Sequence, residues 1–414
     1  MRRSLILVAL PLLALGACNR TGTGGAEGSA TAPAGTVTTS AAAAPSAPPT
    51  PDVLLAHDPA PGASATPEAV PDPETRPLMQ AQVVLDRLGF TPGVVDGKPG
   101  MSTRNALSGF QAANGLPVTG ALDDATKQAL QTYAAIPATR VVTIPADFAA
   151  GPFYAVPAKA ADQAKMPALG YASLDEKLAE RFHTTIATLA MLNPGGVPAG
   201  TPASPVASPS VPPAPVDTAS APADPTAVPR PGPPSQFRAG QQVRVPNVGA
   251  DAIDAGTVKD AAWLATLQSL GVGSSQPRVD RIVVSKSKGT LQAFDASGKL
   301  VAEYTATMGS EHDPLPLGQW KVRGVSYNPK FHYNPALFWD AKPGDARATL
   351  PAGPNGPVGV VWIDLNIPHY GIHGTPNPET IGRAESHGCV RLTNWDAARL
   401  AQMVHVGTQV LFEA

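Results

Sequence analysis

The chain has 414 residues, a formal net charge of −2 and only 15% charged residues, with no standing run of Lys or Arg. That balance lacks the basic footprint a nucleic-acid partner requires, so no nucleic acid is expected. Much of the Pro (47 residues, beside 39 Gly) falls in two tracts, which leaves folded chain for one domain of ordinary size and two small ones.

The N-terminus reads as an export signal. Arg2 and Arg3 precede an apolar stretch over 5–15 that is too short for a stable membrane span. It ends in Leu15-Gly16-Ala17-Cys18, which resembles a bacterial lipobox. The resemblance implies a lipoprotein-type signal peptide over 1–17, cleavage before Cys18 and lipid on Cys18, hence an anchor in a bacterial membrane. Residues 18–75 are rich in Ala, Pro, Thr and Ser. Such a segment buries too little apolar surface to offset its ordering entropy, so a disordered tether is expected, with a reach of roughly 40 Å. Cys18 and Cys389 are the two cysteines of the sequence. With Cys18 lipidated, Cys389 has no disulfide partner in the chain, and a free thiol in an exported protein is a candidate reactive group.

Over 76–132 the apolar residues Leu78, Ala81, Val84, Leu85 and Leu88 recur at helical spacing, with Gly89 to close the helix. Ser102 is placed to cap a second helix and Asp123 a third that ends near Leu130. A self-contained three-helix module is expected. The run from Val83 through Val95-Asp96-Gly97 to Thr126 resembles the peptidoglycan-binding domain of wall hydrolases. Residues 139–248 carry a helical pattern from Leu174 to Asn193, a Pro-rich insertion over 194–236, and a turn with a short strand at 238–246. Without the insertion, this resembles a divergent lysin motif, a βααβ glycan-binding module; a plain connector is the other reading. From 279 to 413, Gly and Pro punctuate strand patterns at 281–284, 291–294, 299–307, 318–325, 358–365 and 409–412, with one helical pattern at 394–404. A mainly β domain follows.

The chemistry concentrates in Ser386-His387-Gly388-Cys389-Val390-Arg391 and, upstream, Tyr370-Gly371-Ile372-His373-Gly374-Thr375. A free thiol is only partly ionised near neutrality, and an imidazole folded back beside it can take its proton and hold an ion pair. Gly388 allows close approach of a reacting carbonyl, and the Gly388 and Cys389 N–H groups are oxyanion-hole candidates. His369, His373, His387 and Cys389 are zinc-type ligands by residue type. His369 and His373 stand in an extended Pro/Gly context where four residues span roughly 13 Å, too far to share one ion, so no metal and no cofactor is expected.

Together the two strings match the L,D-transpeptidase catalytic signature, and 315–320 and 350–359 resemble further segments of that family. The resemblance implies a β-sandwich catalytic domain with one short helix. It makes Cys389 the nucleophile, His373 the general base and acid, and the Gly374 carbonyl the group that orients the imidazole. Gly388 becomes the oxyanion donor and His387 a supporting residue, with Arg391, Ser386 and Tyr370 toward the substrate. The implied reaction is acyl transfer on peptidoglycan stem peptides through a Cys389 thioester. Its acceptor is another stem (a 3→3 cross-link), a wall-linked lipoprotein, or water, the last making a carboxypeptidase. A wall-binding tether with a vestigial catalytic domain is the alternative of a different class. Residues 326–357 lack strand periodicity and carry Tyr327, Phe331, Tyr333, Phe338 and Trp339, the composition of a flap over a site.

Overall fold

A computed structural model describes residues 70–202, 229–249, 253–254, 256–383 and 386–414. The signal segment, Cys18, most of the tether and the centre of the Pro-rich insertion lie outside the described residues.

The first folded segment holds α1 (Pro77–Arg87), β1 (Phe90–Thr91), α2 (Met101–Ala113) and α3 (Asp124–Leu130). Pro77 suits the first turn of α1, where its missing N–H costs nothing, and Gly89 follows the helix at φ +86°. Asp123 caps α3 by accepting from the Thr126 N–H. The cap of α2 differs from expectation: the helix starts at Met101 behind an extended Gly100, so Ser102 lies inside the first turn. Gly100 adopts the extended backbone of a cap position without strain, which frees the start to move two residues back.

The middle segment contains β2 (Thr139–Thr143), β3 (Tyr154–Ala155), α4 (Ala160–Gln163), α5 (Leu174–Arg181), α6 (Ile186–Leu192), β4 (Arg230–Pro231) and β5 (Gln242–Pro246). Ser173 and Thr185 cap α5 and α6 through side-chain oxygens. β2 and β5 pair antiparallel from Thr139↔Pro246 to Thr143↔Gln242, with the two helices between them in sequence. α7 (Ala261–Leu270), which no sequence reading anticipated, is capped by Asp260 and closed by a left-handed Gly271.

The remainder is β6 (Arg281–Ser285), β7 (Thr290–Phe294), β8 (Leu300–Thr305), β9 (Thr307–Met308), β10 (Gly318–Tyr327), β11 (Phe331–Tyr333), β12 (Ala348–Leu350), β13 (Val361–Leu365), β14 (Gly371–His373), β15 (Val390–Arg391), α8 (Asn394–Met403) and β16 (Gln409–Glu413). The mainly β catalytic domain is therefore as expected. One ladder runs β1-β8-β7-β6-β16-β10-β13-β14-β15-β9. β10 belongs to both halves of it and shifts register between Val322 and Gly324, the bulge that lets a strand turn from one layer to the next. The continuous run 300–308 likewise serves both halves, as β8 and β9. Alternation along β6 and β13 sends Ile282, Val284, Val361 and Ile363 into a core that also takes Trp263 and Leu267 of α7 and Trp395 and Leu400 of α8.

The small helical segment does not stand apart from this core. β1 extends the large sheet by pairing parallel with β8 (Phe90↔Glu303, Thr91↔Tyr304). Leu85, Phe90, Leu107 and Phe110 share a cluster with Leu300, and Met79, Val83 and Val95 share another with Leu178, Phe182, Val243 and Val245. Each such side chain contributes about 1.5–3 kcal/mol on burial. At the junction Asp86 of α1 accepts from both Nη atoms of Arg399 in α8, each at 3.1 Å, and lies 3.1 Å from His183 Nδ1. The His183 ring stacks on Trp395 at 4.9 Å.

Candidate active site

His373 ends β14 and Arg391 ends β15, and the two strands pair parallel with His373 opposite Arg391. The register therefore sets His373 and Arg391 side by side on one face of the sheet, and Cys389 lies in the bend just before β15. Trp362, opposite His373 on β13, stacks on the imidazole at 5.6 Å between centroids. Trp362 escaped the sequence reading, since its role depends on a strand pairing that the local pattern does not encode.

His373 is buried, and its Nδ1 donates to the Gly374 carbonyl at 2.7 Å. A carbonyl only accepts, so the Nδ1 proton is fixed and Nε2 keeps its lone pair for a proton from the thiol. Burial pushes the imidazole pKa down to about 4; the Arg391 charge adds to the effect and the Gly374 bond opposes it. Cys389 is partly open to solvent, yet protein surrounds most of it. That desolvation pushes its thiol up, against a Gly371 N–H and the Arg391 charge that favour the thiolate; Asp313 works in the upward direction. Both shifts favour the uncharged form of their group. Among the described residues no hydrogen bond joins the two groups. The thiol instead faces the His369 carbonyl at 3.6 Å. His369 holds a left-handed φ of +68°, the kind of local strain that clusters at functional sites.

The loop that carries Cys389 leaves room only for glycine at one position. Gly388 sits at φ +89°, and a Cβ there would meet the Tyr370 ring at 2.5 Å, so both backbone and space exclude a larger residue. Tyr370 thus covers Gly388. Ser386 corrects the substrate-side expectation: it is buried, accepts from the Gly309 N–H at 2.6 Å and donates to the Cys389 carbonyl at 2.6 Å. Its hydroxyl braces the loop from within. His387 contacts the aromatic segment: Nε2 lies 2.9 Å from Asp340 Oδ1, with the ring edge-on to Phe338 at 4.9 Å and tilted on Trp339 at 5.9 Å. His312 stacks on the other side of Trp339 at 4.3 Å.

That segment also departs from the irregular coil expected. β10 continues through Tyr327, and β11 and β12 form a hairpin from Phe331↔Leu350 to Tyr333↔Ala348. Strands of three residues are too short to show a period of two. The hairpin carries Phe338, Trp339 and Asp340 onto His387.

Residues 279–411 match the family model of the L,D-transpeptidase catalytic domain (YkuD). That part of the chain is similar to L,D-transpeptidase catalytic domains. Residues 74–130 match a second model, "Putative peptidoglycan binding domain". Relatives named "Putative L,D-transpeptidase YkuD" are 34% identical over 130 residues in Bacillus licheniformis and 53% identical over 57 residues in Bacillus subtilis. These matches take in 31% and 14% of this chain, and 63% and 35% of the relatives' length. A solved L,D-transpeptidase from Mycobacterium smegmatis is 20% identical, with a TM-score of 0.27 over 32% of this chain and 58% of that one.

Proposed function

We propose that this protein is an L,D-transpeptidase that transfers peptidoglycan stem peptides through a thioester on Cys389, yielding 3→3 cross-links or a wall-attached lipoprotein. The observation that carries the reading is the imidazole of His373, fixed by the Gly374 carbonyl on the strand that pairs with the one directly following Cys389. In the first half-reaction the Cys389 sulfur bonds to the carbonyl carbon of the third stem residue. The thiol proton passes to His373 Nε2. The amide C–N bond then breaks, and that proton leaves with the amine of the terminal D-Ala. In the second half an acceptor amine attacks the thioester, the C–S bond breaks, and the amine proton returns to sulfur through His373. The Gly388 and Cys389 N–H groups are the donors for the oxyanion of each tetrahedral intermediate in this reading, with Arg391 assigned to the substrate.

With a resting pair that is neutral, proton transfer accompanies attack instead of preceding it. The aromatic segment around Phe338 and Trp339 supports transfer over hydrolysis, because a thioester survives for an amine only where water is kept out. The segment matched at 74–130 supports peptidoglycan as partner, the pairing of β2 with β5 across α5 and α6 supports a lysin-motif-like module, and Cys18 supports a lipid anchor in the cell envelope. No described helix is long and apolar enough to cross a membrane.

The decisive test is mass analysis of muropeptides after incubating purified sacculi with the enzyme. 3→3-linked dimers, or lipoprotein-derived peptides joined to the stem, are expected. Bare tripeptide as the main product would establish the carboxypeptidase instead, and unchanged muropeptides with no adduct on Cys389 would leave a wall-binding tether.

A further inference from the structure

His373 is held by the Gly374 carbonyl, and the Gly374 turn packs on Asn394, which is bonded from outside the catalytic domain. Gly374 packs flat against the Asn394 carboxamide; a Cβ on Gly374 or on Gly359 would run into its oxygen. The same oxygen accepts from the Val360 N–H at 3.3 Å, and the amide nitrogen donates to the Pro354 carbonyl at 3.2 Å. The remaining amide partner of Asn394 is Glu180 Oε1 at 2.9 Å, from α5 of the middle segment. Glu180 is 5% exposed, and its other oxygen accepts from Tyr171 Oη at 3.2 Å, which in turn accepts from Ser269 at 3.3 Å. Asn394 is fully buried, so neither end of the contact exchanges with water.

Residues next to α5 grip the neighbouring catalytic loop as well. Leu169 N–H donates to the Ala352 carbonyl at 3.0 Å, Asn355 N–H to the Leu169 carbonyl at 2.9 Å, and the Asn355 side chain to the Gly170 carbonyl at 3.0 Å. A carboxyl buried between two modules, satisfied by three hydrogen-bonding side chains in series, is an expensive arrangement for a mere spacer.

We propose that Glu180 is a positioning residue for the catalytic imidazole: it fixes Asn394, Asn394 fixes the Gly374 turn, and the Gly374 carbonyl fixes the His373 tautomer. The middle segment is then part of the catalytic device as well as a link to the wall. The inference rests on the Cys389–His373 reading given above. Burial pushes the Glu180 carboxyl up to about 8, so near neutrality it serves as an uncharged hydrogen-bonding group that a glutamine can replace.

The test uses the full chain and three variants. Glu180→Leu keeps the volume and removes the acceptor. Glu180→Gln keeps the acceptor. Asn394→Asp turns the donating amide into a second acceptor facing Glu180. Three readouts are taken: iodoacetamide alkylation of Cys389, the imidazole nitrogen shifts of His373, and kcat and KM on a tetrapeptide stem. Glu180→Leu and Asn394→Asp are expected to lower kcat and alkylation by roughly tenfold or more, since small misplacements of a catalytic group cost up to about 100-fold. KM should hold, and the His373 shifts should lose the signature of a single Nδ1-protonated tautomer. Glu180→Gln should stay close to wild type in all three. Wild-type rates and shifts in Glu180→Leu or Asn394→Asp would overturn the proposal, as would a Glu180→Gln as slow as Glu180→Leu. Should Glu180→Leu not fold, Asn394→Asp and Glu180→Gln decide by the same criteria. Alkylation and nitrogen shifts require no peptidoglycan. A wild type that turns over no tetrapeptide while these readouts behave as expected would sink the transpeptidase reading and leave the relay standing.

Discussion

Replacing Asp86 by Asn tests how the three segments are joined. The Asp86 carboxylate is fully buried and accepts two hydrogen bonds from Arg399 and one shared between its oxygens from His183 Nδ1, all at 3.1 Å. Burial works to raise its pKa, but the Arg399 charge and His183 beside it win and hold it well below the usual carboxylate range. Asp86→Asn keeps the shape and deletes the charge, leaving the buried Arg399 guanidinium without its main counter-charge. Removing one partner of a buried pair costs about 3–5 kcal/mol. Asp396 lies 4.0 Å from Arg399 and would offset part of this: burial pushes its carboxyl up to about 7, and loss of the neighbouring Asp86 charge would ease its ionisation. The lower end, about 3 kcal/mol, is therefore expected at pH 7. Because the folded pKa is depressed, the stability from Asp86 is fully present above its unfolded value of about 3.9 and is lost as pH falls toward the folded one. The wild-type advantage should hold from pH 7 to 5 and shrink below about pH 4. Urea denaturation of wild type and variant across that range, by far-UV circular dichroism, measures it. A loss under about 1 kcal/mol at pH 7, or one that does not narrow in acid, would refute the reasoning.

Cys389→Ser should lower acyl transfer by roughly 10³-fold or more, since a serine hydroxyl is far less acidic than a thiol and a carbonyl, in place of a carboxylate, backs His373; most activity surviving on a tetrapeptide stem would remove Cys389 as nucleophile. With the His373 pKa lowered to about 4, the base is neutral across pH 5–8, so the acid limb of kcat/KM should fall near 4. A limb near the free-histidine value of about 6.5 would place another group in that role. Phe338→Ala combined with Trp339→Ala should raise the ratio of hydrolysis to transfer more than it slows single-turnover acylation of Cys389. Unchanged partitioning between water and a supplied amine would end the flap's part in excluding water. Cys18→Ala should move the protein from the membrane to the soluble envelope fraction, and unaltered fractionation would argue against the lipid anchor.

Cys389, His373 and Gly374 were legible in the sequence because their chemistry needs a short, specific string: a glycine at positive φ before the thiol and a histidine bonded to the carbonyl that follows it. The Asp123 cap, the α1 face and the alternation of β6 and β13 were legible for the same reason, since each is set by neighbours within a few residues. α7 carried its signals too, Asp260 before it and Gly271 after it, although no reading used them. Tertiary structure alone decided the rest. β14 and β15 are too short to announce themselves, yet their register sets His373 beside Arg391, directly after the Cys389 bend. Asp86, Glu180 and Asn394 read as ordinary polar positions on amphipathic helices. Only the packing of α1, α5 and α8 against one another removes them from water, and a buried polar group must then find a partner wherever in the chain one lies.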